Sequence, residues 1–233
     1  MQSVVIIIPA LNPLPSLVSF VEKLQNLSVV KIIVVNDGSD EKYKVIFDEL
    51  RALNGCTVIV HEENYGKGGA LKTGFDYILS SEWKTKSVVT VGAHGQHSIL
   101  DVAQLIASTK IFSDGIVLGV REFKSKEIPV TSFVANRAVS MLFELFYHKR
   151  LLDTQTGLRY LPNTALSWLK NVPGESYKYD LNMLVAAIRR DVPIYEVPIG
   201  EAKLKKNSII YYDEVLEPNR LFHQLWKSYM KKE

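Results

Sequence analysis

The sequence predicts an α/β protein with a mainly parallel central sheet flanked by helices, and three observations carry that prediction. Five short runs in the first half are almost continuous in Val and Ile, the pattern of strands buried on both faces. Amphipathic helical segments lie between them, so strands and helices alternate as in βαβ units. The chain has 233 residues, 47% hydrophobic and 23% charged, which is ordinary globular composition.

The elements follow in order. A first strand covers 4–8 and ends at Pro9. Leu14, Leu17, Val18, Val21 and Leu24 then share one face of a helix. Strands are predicted over 32–35 and 57–60. After the loop 64–69, Ala70, Leu71, Gly74, Phe75, Ile78 and Leu79 mark a second helix. The next strand is 88–91. Ile99, Ala103 and Ile106 form a third stripe with Ser98 as its N-cap, and 116–120 is a fifth strand. Beyond Arg121 the rhythm changes. A long helix is expected over about 131–149, with Val134, Ala138, Met141, Leu142, Leu145 and Phe146 on one side. Another follows over about 178–190, then a strand over 194–197. With no internal repeat and no Gly/Ser-rich linker, 1–233 is read as a single domain of two fused halves.

Composition excludes several function classes. A single cysteine, Cys56, rules out a disulfide framework and a zinc ribbon, and suits a reducing cytosol. The net charge of +3, from 28 basic and 25 acidic residues, is too balanced for a nucleic-acid binder. No apolar run approaches the roughly 18 residues of a spanning helix. The first residues lack a signal-peptide pattern, so a cytoplasmic protein is expected. Within 218–232, Leu221, Phe222, Leu225, Trp226, Tyr229 and Met230 form one stripe. That stripe suits a terminal helix packed on the core or a peripheral contact at the inner face of a membrane, which Lys203, Lys205 and Lys206 would assist.

In open parallel sheets ligands bind beyond the carboxyl ends of the strands. Four polar segments fall there: 9–12, 36–39, 64–69 and 92–97. A Walker A loop is excluded because Gly66-Lys67 is followed by Gly68, and no G-x-G-x-x-G follows the first strand. What does stand out is a series of segments: IIIPALN (6–12), VVNDGSD (34–40), NYGKGGALKTGF (64–75), VVTVGAHGQHSILDV (88–102), DTQTGLR (153–159) and YEVPI (195–199). On these the chain resembles the family-2 glycosyltransferases of the GT-A fold, a Rossmann-like single domain. It is especially similar to the branch of dolichyl- and polyprenyl-phosphate sugar synthases.

The resemblance implies a nucleotide-binding half to about residue 97 and an acceptor-side half from about 98. Pro9, Ala10 and Asn12 would line base and ribose, Asp37 would accept from the N3–H of the base, and Lys67 would approach the nucleotide. Arg121 and Arg137 would meet phosphate groups of donor or acceptor. Asp153 would face the acceptor and serve as base if that acceptor were a hydroxyl. The implied partners are a UDP- or GDP-linked sugar and a lipid-phosphate or glycan acceptor in cell-envelope polysaccharide synthesis, with no organic cofactor. Each residue also has a plainer role open to it. Asp37-Gly38 is a turn signal, the glycines at 66, 68 and 69 permit a tight loop, Arg137 suits a solvated helix face, and Asp153 suits an Asx-turn.

One departure from the family pattern matters. An Asp-x-Asp motif is expected after the fourth strand, holding Mg²⁺ or Mn²⁺ on the donor diphosphate; here those positions are Gly92 and His94. Gly92 keeps its place among the nucleotide-lining residues. His94 and Gln96 become the candidate metal ligands, although imidazole suits softer cations better. Without a metal, Lys67, Arg121 and Arg137 would have to neutralise the diphosphate. The sequence therefore leaves two readings open: a glycosyltransferase, or a catalytically impaired nucleotide- or partner-binding module of the same fold.

Overall fold

The computed structural model describes residues 4–27, 29–84, 86–122, 130–176, 178–201, 225–227 and 229–230. In chain order the elements are β1 (Val4–Ala10), α1 (Ser16–Leu24), β2 (Val29–Asn36), α2 (Lys44–Ala52), β3 (Cys56–Val60), α3 (Gly66–Ser80), β4 (Ser87–Thr90), α4 (Ile99–Ser108), β5 (Ile116–Glu122), α5 (Val130–Tyr147), β6 (Arg159–Leu161), α6 (Asn163–Leu169), α7 (Lys178–Arg189) and β7 (Ile194–Glu201). Seven strands form one sheet in the order β3-β2-β1-β4-β6-β5-β7. All pairings are parallel except those of β6, which runs antiparallel to both β4 and β5.

Side chains alternate across a strand, so the sheet divides two cores. Val5 and Ile7 of β1 pack with Ala70, Leu71 and Phe75 of α3 and with α6 and α7 on one face. Val4, Ile6 and Ile8 pack with α1, α2 and α4 on the other. Gly74 sits in the apolar stripe of α3 for a steric reason: a Cβ there would lie 2.8 Å from Ile7 Cδ1.

The six strands expected from the Val/Ile runs are all present, each extended by one or more residues at one or both ends except at 88–91, where β4 runs from Ser87 to Thr90. Two helix faces are rotated from expectation. On α4 the fully buried side chains are Val102 and Leu105, with Ile99 and Ile106 flanking them half-buried. Ser98 caps α4 as expected, in a reciprocal box with Asp101. On α5, Met141 and Leu145 are exposed, at 63% and 66%, while Asn136, Val139, Ser140, Phe143 and Phe146 are buried. Polar Asn136 and Ser140 lie on the inner line with their side-chain donors placed locally, on the Leu152 and Asn136 carbonyls. Val134 lies within a part of α5 whose side chains are outside the described set, as is the cluster Lys203, Lys205 and Lys206.

Of the terminal stripe, Leu225, Trp226, Tyr229 and Met230 are described, and they are helical. Leu225 is buried, and Trp226 and Tyr229 stack against Phe146 and Tyr147 of α5, so this segment packs on the long helix. No helix among the described residues is long and apolar enough to cross a membrane.

Candidate functional site

The parallel strands β1, β2, β3, β4 and β5 end on one rim. Because β6 runs the other way, its start at Arg159 and the preceding loop 153–158 arrive at the same rim. That reversal brings the segment 153–159 beside the segments 36–39, 64–69 and 92–97.

Asp37 follows β2 and is 3% exposed. Its Oδ1 accepts from the Tyr65 backbone N–H at 3.0 Å and pairs with His61 Nδ1 at 2.7 Å. His61 Nε2 in turn meets Thr73 Oγ1 at 2.9 Å. The bonds from Tyr65 N and His61 both fall on Asp37 Oδ1, fixing the direction in which Oδ2 points. Sequence reasoning missed His61, although its place directly after β3 on the rim was a usable signal. Gly38, at φ 73°, is required here: a Cβ would lie 2.5 Å from the Glu63 carbonyl carbon and 2.6 Å from Asn64 N. Asn12, at φ 48°, spends its side chain joining two loops, accepting from Asp40 N at 3.0 Å. The Ala10 side chain is in the core at 1% exposure, and its carbonyl accepts from Asp37 N. Pro9 is half-buried beside it. Ala10 and Asn12 thus shape the site through backbone and loop geometry rather than by free side chains.

Lys67 stands in the first turn of α3, since the segment expected to be loop through 69 is helical from Gly66. Its Nζ lies 2.5 Å from Asp180 Oδ2 on α7. Arg159, 1% exposed, donates to the carbonyls of Asp180, Thr156 and Thr154 at 2.8, 2.9 and 2.9 Å, and lies 3.6 Å from Asp180 Oδ1. Burial lowers the pKa of Lys67; Asp180 opposes that and Arg159 adds to it. Asp180 is 113 residues from Lys67 and gave no local signal.

Arg121, at the end of β5, forks onto Asp153. Nε donates to Oδ2 at 2.6 Å and Nη2 to Oδ1 at 2.8 Å, with Asp153 wholly buried. Glu196 of β7 anchors the same loop, accepting from Leu152 N at 2.7 Å, and burial raises its pKa. The pairing gives Asp153 a partner that the sequence did not disclose. A carboxylate with both oxygens held by a guanidinium and no solvent exposure positions Arg121 and is poorly placed to take a proton. Arg137 is exposed on α5, next to Asn136, which donates to the Leu152 carbonyl. No hydrogen bond or ion pair among the described residues joins Arg137 to Arg121 or Asp153.

The loop 92–97 completes the rim. His94, 8% exposed, hydrogen-bonds the Leu11 backbone, and burial lowers its pKa. Gln96 folds back so that its Oε1 occupies the space a Cβ at Gly92 would take. His97 is 5% exposed and neither ring nitrogen has a hydrogen-bond partner. Burial brings its pKa down to about 4, with Arg121 and Lys67 adding to the effect and Asp101 and Asp153 opposing it. As a cation site this loop fits poorly. Mg²⁺ and Mn²⁺ favour carboxylate oxygens, and the loop offers none: it carries the His94 imidazole, already bonded to backbone, the His97 imidazole and one amide oxygen. Among the described residues no group of three His, Cys, Asp or Glu side chains could hold a metal. The expectation of His94 and Gln96 as metal ligands is therefore not met by the donor set.

The sequence model of glycosyl transferase family 2 matches residues 5–165. The chain belongs to that family. A UDP-N-acetylglucosamine–dolichyl-phosphate N-acetylglucosaminyltransferase of Methanococcus voltae is 32% identical over 211 residues, covering 83% of each chain. A dolichyl-phosphate β-glucosyltransferase of Saccharomyces cerevisiae is 26% identical, covering 73% of this chain and 56% of its own. Glucosyl-3-phosphoglycerate synthase of Mycobacterium tuberculosis, in a crystal with Mn²⁺, uridine diphosphate and phosphoglyceric acid, has the same fold. Its TM-score is 0.73 at 16% identity, over all of this chain and 80% of that one. The family model and the dolichyl-phosphate relatives make this chain a glycosyltransferase by family, and the solved structure shares its fold.

Proposed function

We propose that this family-2 protein moves a sugar from a UDP- or GDP-linked donor to a polyprenyl-type lipid phosphate, in cell-envelope glycan synthesis, with a glycan hydroxyl as the lesser alternative. One observation carries the choice of acceptor: Asp153, the carboxylate available as a base, is committed to Arg121. A hydroxyl acceptor needs a base to remove its proton, whereas a phosphate acceptor is already anionic. Its oxygen attacks the anomeric carbon, the bond from that carbon to the diphosphate oxygen breaks, and the electron pair leaves with the nucleoside diphosphate. Asp37, oriented by His61 and Tyr65 N, would hold the base, and exposed Arg137 would meet the acceptor phosphate. The relative whose printed acceptor is dolichyl phosphate supports this assignment. So do Met141 and Leu145 on α5 and Trp226, Tyr229 and Met230 on the segment packed against it, all exposed and suited to peripheral contact with a membrane holding the acceptor.

The test is transfer of radiolabelled sugar from a panel of UDP- and GDP-linked donors to polyprenyl phosphate in detergent, read as label entering the organic phase. Label in the lipid fraction that disappears in Asp37→Ala supports the proposal. A second reading, a binding module without turnover, is favoured by Gly92 and His94 replacing both expected carboxylates. Tight nucleotide binding with no transfer from any donor would establish that reading instead.

A further inference from the structure

Family membership leads one to expect a cation on the donor diphosphate, and the loop 92–97 lacks the ligands for one. A different feature stands beside that loop. Gly157 is half-buried on the rim, its carbonyl held by Thr90 Oγ1 at 2.9 Å. A Cβ on Gly157 would lie 3.6 Å from Lys67 Nζ and 3.7 Å from His97 Nε2. Apart from adjacent chain, those two nitrogens are the only heavy atoms within 4 Å of that point among the described residues. The nearest atoms around that point are thus an ammonium and an imidazole nitrogen, the ammonium being paired in turn with Asp180.

His97 supplies the second, independent observation. It is 5% exposed, and neither nitrogen has a partner. Native structures seldom leave a buried polar group unsatisfied, so this imidazole beside the half-buried Gly157 has hydrogen-bonding capacity to give a ligand. Lys67 is held in place by Asp180, which fixes the position of its ammonium. Arg121 acts on both groups and Arg159 on Lys67 as further positive charges, with Asp180 opposing them at Lys67 and Asp101 and Asp153 at His97. Two nitrogens converging on one point, backed by cations, form a seat for an anion.

We propose that the space over Gly157, between Lys67 and His97, seats the diphosphate of the sugar nucleotide and does without the divalent cation. The negative charge that grows on the departing diphosphate is met there by the Lys67 ammonium and the His97 N–H. Gly157 is what keeps the seat open. This inference rests on the donor reading above and names the residues that replace the cation.

The experiment is isothermal titration calorimetry of UDP and GDP, and of uridine and guanosine, against the whole chain in EDTA and in Mn²⁺. The expected result is diphosphate binding of equal affinity with and without metal. Gly157→Ala is the variant. Its methyl makes only ordinary van der Waals contacts and its φ lies outside the strained region, so thermal unfolding should match the parent. It should weaken the diphosphate by about 10- to 100-fold, the size of a lost charge-assisted hydrogen bond, and leave the nucleoside unchanged. Diphosphate binding that requires Mn²⁺, or a Gly157→Ala protein that binds it as the parent does, overturns the inference and leaves the donor reading standing. Absence of binding by any nucleotide in either condition overturns both.

Discussion

The burial of His97 has a consequence for stability that can be worked out numerically. In the folded chain its pKa is brought down to about 4, from an ordinary 6.5. The unfolded chain therefore takes up a proton there before the folded chain does, so stability is complete above about pH 6.5 and is lost as pH falls toward 4. Linkage with these two values gives a loss of about 2 kcal/mol between pH 8 and pH 5, and about 3 kcal/mol by pH 4. Other groups titrate in the same range, so the quantity to measure is the difference between the parent and His97→Gln, which keeps a polar side chain that cannot titrate. Urea unfolding of both proteins at pH 8, 7, 6 and 5 measures it. At a slope of about 2 kcal/mol per molar urea, the parent's midpoint should fall by about 1 M more than the variant's over that span. A parent-minus-variant difference that stays flat from pH 8 to pH 5 would refute the reasoning, because His97 would then not be held neutral by its surroundings.

Further outcomes follow from the packing. Arg159→Met leaves the carbonyls of Asp180, Thr156 and Thr154 without this donor, removes one of the two cations at the Asp180 carboxylate, and should cost about 3–5 kcal/mol by urea unfolding; Arg159→Lys should not rescue it, lacking the planar fork. Gly38→Ala should cost about 2 kcal/mol or more, since a positive φ combines with contact against the Glu63–Asn64 backbone. Gly55→Ala is its control: φ is 81° but the nearest atom is 3.9 Å away, so about 1 kcal/mol of backbone strain alone is expected in the same assay. Ser98→Ala breaks the box at the start of α4 and should lower stability by about 1 kcal/mol.

How far the molecule could be read from its sequence depends on the range of the signal. The parallel strands were legible because strands buried on both faces are nearly unbroken Val and Ile, as at 4–8 and 32–35. β6 was not, because three residues beginning with an arginine carry no periodicity; only its pairing with β4 and β5 makes them a strand. The face of α5 was misjudged because apolar counting cannot see that the Asn136 and Ser140 donors find carbonyls nearby. At the site, the rim rule gathered Asp37, Lys67 and the loop 92–97 correctly on one edge. It could not reveal that Asp180 would answer Lys67, or that Asp153 would be fully occupied by Arg121. Those facts depend on α7 and β5 meeting residues far away in the chain.

The three residues of β6 also fix a length. Arg159 points toward α7, and Tyr160 points to the opposite face, where its hydroxyl meets Ser87 Oγ at 3.0 Å. Side chains alternate strictly along a strand, so adding or removing one residue between 154 and 158 would exchange the two. A guanidinium would be delivered among Val89, Val117 and Leu158, and a phenol to the carbonyls that Arg159 now serves. The spacing from Asp153 to Arg159 is therefore constrained independently of the residues that fill it. Family members should accept substitutions within this segment far more readily than insertions or deletions.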